Sequence, residues 1–307
     1  MKKLIAYLLA ALMLLGCVPA MAELDAKEWL SPDQYYRNQL TEEYLMAWGC
    51  DVVNALSYPE QISASQRDRR MQALAPMIKR DNPKIFWIDW IDTYARLRFE
   101  TGSVETFAPL PVPEGMTLSA YQVIFDSLLD AAVAQISADL PANADTRTKA
   151  RAIHDWLCRN NTYNEVDSVG SKKNSDPVSF KYQMAHSAYS AIVPGDEFEP
   201  TCDGYATGFK ALCDEMGVPC ICVSGTVQGG SHQWNYVKDD DGKWYLVDVS
   251  TDDAYSTDSH IETYVFMAKA ARAQEVQYVP DPYLGSGVNP SNGYTEGFAF
   301  TFPELAK

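Results

Sequence analysis

The sequence predicts an α+β fold in which a helix beginning at a cysteine packs on an antiparallel sheet, preceded by a small helical and β-meander region. Three observations predict it. Helical periodicity runs through residues 119–138, 146–159 and 202–216. After Gly217 the pattern switches to alternating strands. Two of those strands flank Asp239-Asp240-Asp241-Gly242, a strong hairpin signal.

The elements follow in chain order. Lys2 and Lys3, the apolar run Leu4–Leu15 and the small-x-small site Ala20-Met21-Ala22 read as a secretory signal peptide over residues 1–22. Its apolar run is too short to span a bilayer, and no later segment is long and apolar enough to do so. Leu14-Leu15-Gly16-Cys17 also resembles a lipoprotein box. Cleavage there would leave a lipid anchor at Cys17; the cleaner site after Ala22 is favoured, giving an exported protein. Residues 23–113 form the N-terminal region. Ser31-Pro32-Asp33-Gln34 carries a cap, a first-turn proline and a capping-box glutamine, which starts a helix to about Leu56. Residues 65–79 predict a second helix. Ile85–Trp90, Thr93–Glu100 and Ser103–Phe107 form a meander. Pro109, Pro111 and Pro113 make a stiff linker and the expected boundary.

The second domain is expected over residues 114–275, with a C-terminal extension over 276–307. Ser119–Ala138 is an amphipathic helix with Ile124, Leu128, Ala131/Ala132 and Ile136 as its stripe. Asp145 caps the next, Thr146–Arg159, with Ala150, Ile153 and Leu157 inward; His154 beside them reads as a packed histidine. Residues 160–200 are loop-rich, with a helical patch over 183–192. Strands are expected over Val218–Val227, His232–Lys238, Lys243–Val249 and Phe298–Phe302. The net charge of −16 argues against nucleic acid or anionic lipid as a partner.

The export signal raises the question of disulfides. Cys50, Cys158, Cys202, Cys213, Cys220 and Cys222 lie beyond it. Their spacing is no disulfide framework. Cys202 and Cys213 are about 16 Å apart along one helix. Cys220 and Cys222 alternate on one strand, and no second ligand pair of zinc-like spacing accompanies them. Most of these residues read as buried thiols.

Cys202 differs in its position. Pro200 disfavours helix at Glu199, and Ala206, Phe209, Leu212, Cys213 and Met216 share one helix face. The helix therefore starts near Cys202 and stops at Gly217. A thiol at that start meets unpaired N–H groups and the positive end of the dipole, which favour the thiolate. Cys213 belongs to the apolar face. A base is available in "HQWNYVKDDDGKWYLVD", His232 to Asp248. With the loop centred on Asp240, paired positions sum to 480 and His232 lies opposite Asp248. With Gly242 in a left-handed bulge the sum is 482, and the two are diagonal. Either even sum puts them on one face; an odd sum separates them. A cysteine at a helix start, a histidine on a strand and an aspartate on the next strand have the composition of a Cys-His-Asp triad.

At these residues the sequence resembles a bacterial transglutaminase-like domain, a branch of the papain-like cysteine superfamily. The resemblance is carried by "AIHDWLCRNNTYN", "HSAYSAI", "CDGYATGFKALCDEMGVPCICVSGT" and "HQWNYVKDDDGKWYLVDVSTDD" in that order, and "RDNPKIFWI" resembles the upstream part of secreted members. It implies a transglutaminase-like, papain-like core with Cys202, His232 and Asp248 as catalytic residues. His186 and Tyr189 are candidate oxyanion donors beside the Cys202 N–H. Gly204, Tyr205 and Trp234 are further candidates for substrate contact. The lead "PGDEFEPTC" is longer and more acidic than the usual glycine-and-apolar approach to the cysteine. The implied chemistry is acyl transfer from a peptide or side-chain amide through a thioester, ending in hydrolysis or in crosslinking to an amine, with no metal or organic cofactor. Cell-wall peptide and protein substrates both fit; a non-catalytic binding module on the same fold is the alternative.

Overall fold

The computed structural model describes residues 80, 82–84, 86, 88–89, 108–110, 113–116, 118–167, 179–193, 195, 198–257, 259–281 and 302–307. The expected signal peptide, Cys17, Cys50, the helices over 31–56 and 65–79, and most of the meander lie outside these residues. Of the meander, β1 (Ile88–Asp89) pairs antiparallel with β2 (Ala108–Pro109). Pro109 is thus the end of a strand, where a missing N–H is tolerated at a sheet edge. Leu110 just after it is buried, as is Phe86, whose ring lies 5.0 Å from those of both Phe125 and Tyr189.

Helix α1 (Leu118–Ala138) buries Tyr121, Phe125, Leu129, Ala132 and Ile136. The expected stripe is therefore displaced: Ile124 and Leu128 flank it half-buried, and Ala131 is exposed. The aromatic contacts of Phe125 explain this, because the larger ring takes the centre of the interface. Helix α2 (Thr146–Asn160) starts where Asp145 accepts the Thr148 N–H at 2.8 Å and buries Ala150, Ile153 and Leu157 as expected. The patch around residue 183 resolves into two short helices, α3 (Phe180–Ala185) and α4 (Ala188–Ile192).

Helix α5 (Cys202–Met216) is the centre of the molecule. Gly217 ends it with a left-handed φ of 67°, and every residue from Gly204 to Cys213 is buried. A helix enclosed on all sides belongs to a core rather than a surface. It packs against an antiparallel sheet whose strands run, in order, Trp244–Val247 (β5), Gly230–Lys238 (β4), Cys220–Val227 (β3) and Tyr278–Pro280 (β6). Strand β3 (Cys220–Val227) pairs with β4 (Gly230–Lys238) through a two-residue turn at Gln228-Gly229, both with positive φ. Strand β5 (Trp244–Val247) lies on the far side of β4.

The β4–β5 register has the even sum 482, shown by Tyr236 opposite Leu246 and Val237 opposite Tyr245. The turn explains the choice between the two even registers. Gly242 takes φ of 76°, its N–H bonds the Asp239 carbonyl, and the Asp239 N–H bonds the Lys243 carbonyl, each at 2.9 Å. Only a residue without a Cβ enters that conformation at low cost.

Three elements were not expected. Helix α6 (Val249–Tyr255) begins one residue after β5, helix α7 (Ala270–Val276) follows a turn-rich stretch, and β6 (Tyr278–Pro280) adds an edge strand to β3. Of the expected final strand, residues 298–301 lie outside the described residues. Phe302 is irregular, and the chain makes a parallel bridge at Leu305 to Trp244.

Candidate functional site

Cys202 is the first residue of α5, where backbone N–H groups lack helical partners. Thr201 occupies the cap position but gives the helix no side-chain cap. Its hydroxyl lies instead within reach of the Ala185 carbonyl at 3.1 Å and Asp203 Oδ1 at 2.6 Å. The Ala185 carbonyl also accepts the Thr201 N–H, and it sets the approach of α5. A Cβ on Gly204 would stand 2.6 Å from that oxygen and 2.8 Å from Ser190 Oγ, so only glycine allows the Cys202 turn to seat there. Gly204 is thus a packing residue of the site.

The partner histidine comes from β4 and is held to the same helix. Asn235, three residues after His232, donates through Nδ2 to the Ala206 carbonyl at 3.0 Å. Trp234, fully buried, lies under the imidazole with ring centroids 6.2 Å apart and an interplanar angle of 22°. His232 Nε2 donates to Asp248 Oδ2 at 2.7 Å, and the Cys202 side chain lies beside the ring. With Nε2 committed to Asp248, Nδ1 is the nitrogen left for the thiol. Burial favours the neutral imidazole. The charge and hydrogen bond of Asp248, with Cys202, outweigh it and raise His232 well above the usual histidine range.

Asp248 lies just past the end of β5 and caps α6. Its Oδ1 accepts the Thr251 N–H at 3.1 Å and the Ser250 hydroxyl at 2.8 Å. Its Oδ2 accepts from His232, from the Thr251 hydroxyl and from Tyr278 OH, each at 2.7 Å. Burial opposes its ionisation, but the His232 charge and the hydrogen bonds from His232, Tyr278 and Thr251 hold the carboxyl well below the usual range. The next two carboxylates are also engaged. Asp252 is buried against His154, 3.1 Å from its Nε2, and Asp253 accepts from Tyr205 OH at 2.5 Å. Neither is the solvated loop carboxylate that "STDD" alone suggests.

The structure brings Cys202, His232 and Asp248 together, with Trp234 against the histidine. It gives the other candidates different surroundings. His186 has Nδ1 2.6 Å from Asp203 Oδ1 and Nε2 2.8 Å from the Asp167 carbonyl, so both nitrogens are engaged away from the thiol. Tyr189 is buried among aromatic rings, 5.0 Å from Phe86 and 5.5 Å from Tyr121. Tyr205 stacks on Tyr163 with an interplanar angle of 14°.

Tyr163 and Tyr278 are the site residues that sequence reasoning missed. Tyr163 lies close to Cys202, and burial together with Cys202, Asp203 and Asp248 keeps it a neutral phenol. Its loop is tied down by Asn164, whose N–H bonds the Pro200 carbonyl at 3.0 Å and whose Nδ2 bonds the Glu199 carbonyl at 3.1 Å. The "NNTYN" stretch carried a signal for Tyr163 only as part of a longer block. Nothing local marked Tyr278.

Comparison with known proteins bears on the same region. Residues 134–249 match the model of the transglutaminase-like superfamily, and this part of the chain has a transglutaminase-like fold. Kyphoscoliosis peptidase is 29% identical over 150 residues in Mus musculus and over 151 residues in Homo sapiens, covering 44% of this chain and 20% of each relative. A probable serine/threonine-protein kinase of Arabidopsis thaliana, SIS8, is 48% identical over 46 residues, which is 14% of this chain and 4% of that protein. The chain thus spans a fifth or less of the length of these curated relatives. A crystal structure of a TGase covers 45% of this chain and 34% of its own at 19% identity, with a TM-score of 0.34.

Proposed function

We propose that this protein is a cysteine acyl-transfer enzyme that cleaves peptide or side-chain amide bonds through Cys202, His232 and Asp248. The observation that carries the reading is the single line of contacts from thiol to imidazole to buried carboxylate, set at the start of α5 within a transglutaminase-like domain. In this mechanism the Cys202 thiolate attacks the amide carbonyl, and His232 holds the proton. The tetrahedral oxyanion needs the Cys202 N–H. His232 then gives its proton to the departing amine, leaving a thioester on Cys202. Water, deprotonated by His232, releases the acid and restores the thiol.

Hydrolysis is the favoured outcome because the curated relatives with the longest matches are named as peptidases. The test is incubation with a peptide library in the presence of a labelled primary amine, read by mass spectrometry. Cleaved or deamidated peptides that require Cys202 are expected. Amine adducts in their place would make the protein a crosslinking transglutaminase, and no change in any peptide would leave a binding module.

We propose further that the protein is exported after removal of residues 1–22, on the strength of the charged start, the apolar run and Ala20-Met21-Ala22. Intact mass of the mature protein should place Glu23 at its N-terminus. A lipid-modified Cys17 would instead tether it to a membrane.

A further inference from the structure

Outside the catalytic contacts, the most unusual polar group among the described residues is His154. It is fully buried on α2, with Nδ1 3.0 Å from Asp155 Oδ1 and Nε2 3.1 Å from Asp252 Oδ2. Both partners are carboxylates, so the ring satisfies both only when each nitrogen carries a proton. Asp252 is also fully buried, and its Oδ1 accepts the Val265 N–H at 2.9 Å. The pair joins α2 to α6, elements 98 residues apart in sequence. Helix α6 is only seven residues long, too short to hold itself together. Its first turn is organised by Asp248, the residue that orients His232. One turn later, Asp252 attaches it to α2, while Asp253 accepts from Tyr205 on α5.

We propose that His154 and Asp252 form a positioning pair that fixes α6 against α2 and so aims the Asp248 carboxylate at His232. The inference rests on the triad reading above. If α6 loosens, the Thr251 N–H and the Ser250 and Thr251 hydroxyls that hold Asp248 move with it, and the carboxylate loses its direction before the sheet is disturbed. The other groups facing the pair fit this role. On α2, Arg151 Nε bonds Asp155 at 2.6 Å and Arg159 lies 3.6 Å from its other oxygen, which leaves His154 as the cation for Asp252. Cys158 lies 4.0 Å from the Val249 carbonyl, and the Phe266 ring covers the imidazole at 5.2 Å. Burial opposes the charge on His154, but the two carboxylates outweigh it and raise its titration. A group raised in the folded state stabilises fully below its unfolded pKa, about 6.5 for histidine, and its contribution is lost as pH rises through the folded value.

Two replacements of Asp252 separate aim from mere packing. Asp252→Ala removes both hydrogen bonds. Asp252→Asn keeps Oδ1 for Val265 and can donate from Nδ2 to a neutral His154. The readout is the pH profile of Cys202 alkylation by iodoacetamide, mapped to the Cys202 peptide, alongside kcat and KM. Wild-type protein should show reaction persisting into acid, the mark of a thiolate paired with an imidazolium. Asp252→Ala should lose that acid plateau and about tenfold in kcat at unchanged KM, and Asp252→Asn should retain both. A folded Asp252→Ala protein with the wild-type profile overturns the positioning role. A wild-type protein with no acid plateau overturns the triad reading itself, and the role of the pair with it. Where Asp252→Ala does not fold, Asp252→Asn decides through its melting temperature between about pH 6 and 9. It should fall less than that of wild type, because its His154 is already neutral; an equal fall overturns the inference.

Discussion

Cys202→Ala should abolish turnover and leave the melting temperature within a few degrees of wild type. The side chain is buried, but its neighbours belong to the site: His232 beside the sulfur and Tyr163 close by. Removing one sulfur leaves a void at the edge of the core, where collapse is easy, so the stability cost is at the low end for a buried truncation. The same change at Cys213 should do the reverse. That sulfur is fully buried in the last turn of α5 beside Cys220, and burial pushes its thiol far up, away from reactivity. Cys213→Ala should cost about 1–2 kcal/mol in denaturant unfolding and leave kcat intact. A stable, inactive Cys213→Ala protein would show that the two cysteines have been given each other's roles.

The second large effect is expected at Asp248. Asparagine in its place keeps the shape and can keep the helix cap through its oxygen at the Oδ1 position. At the Oδ2 position it puts an N–H donor where three donors now converge. The imidazole must then turn a bare Nε2 toward the amide, which leaves its only proton on Nδ1, facing the thiol. That tautomer cannot accept the proton of Cys202. In serine triads the equivalent swap costs about 10⁴ in kcat. The loss here should approach that figure yet stay below that of Cys202→Ala, because a thiol ionises more readily than a hydroxyl. The check is steady-state kinetics of Asp248→Asn beside Asp253→Asn, whose carboxylate binds Tyr205 instead. If the Asp253 variant is the more damaged, the imidazole takes its orientation from a different carboxylate.

Much of this site could be read from the chain because its signals are local. Pro200 and Gly217 bracket a helix, and an Asp-Gly turn between alternating strands fixes a register to within two residues. Those facts place the thiol at a helix start and put imidazole and carboxylate on one face. The choice between the two even registers depended on whether Gly242 entered a left-handed conformation, which a sequence allows but does not require. Helix α6 was missed because "VSTDDAY" has weak helical propensity. It is held by an aspartate just past the end of β5, and by His154 far upstream. Strand β6 was missed because a segment rich in proline and tyrosine reads as a tail. An edge strand accepts Pro280 at its end, and only the pairing with β3 makes the segment a strand. His186 and Tyr189 were plausible donors from residue type alone. Their partners, Asp203 and a cluster of rings, appear only when the chain is folded.

Tyr278 and Ala306 set an order for assembly. The Ala306 N–H bonds the Trp244 carbonyl at 2.8 Å, the Ala306 carbonyl accepts from Ala270 at 2.9 Å, and Tyr278 completes the ring of donors around Asp248. A nascent chain that has reached Asp248 already holds the thiol, the imidazole, the carboxylate and most of the sheet, but lacks Ser250, Thr251 and Tyr278, whose hydroxyls steady that carboxylate. The ring of donors around Asp248 therefore closes only after Tyr278 has left the ribosome.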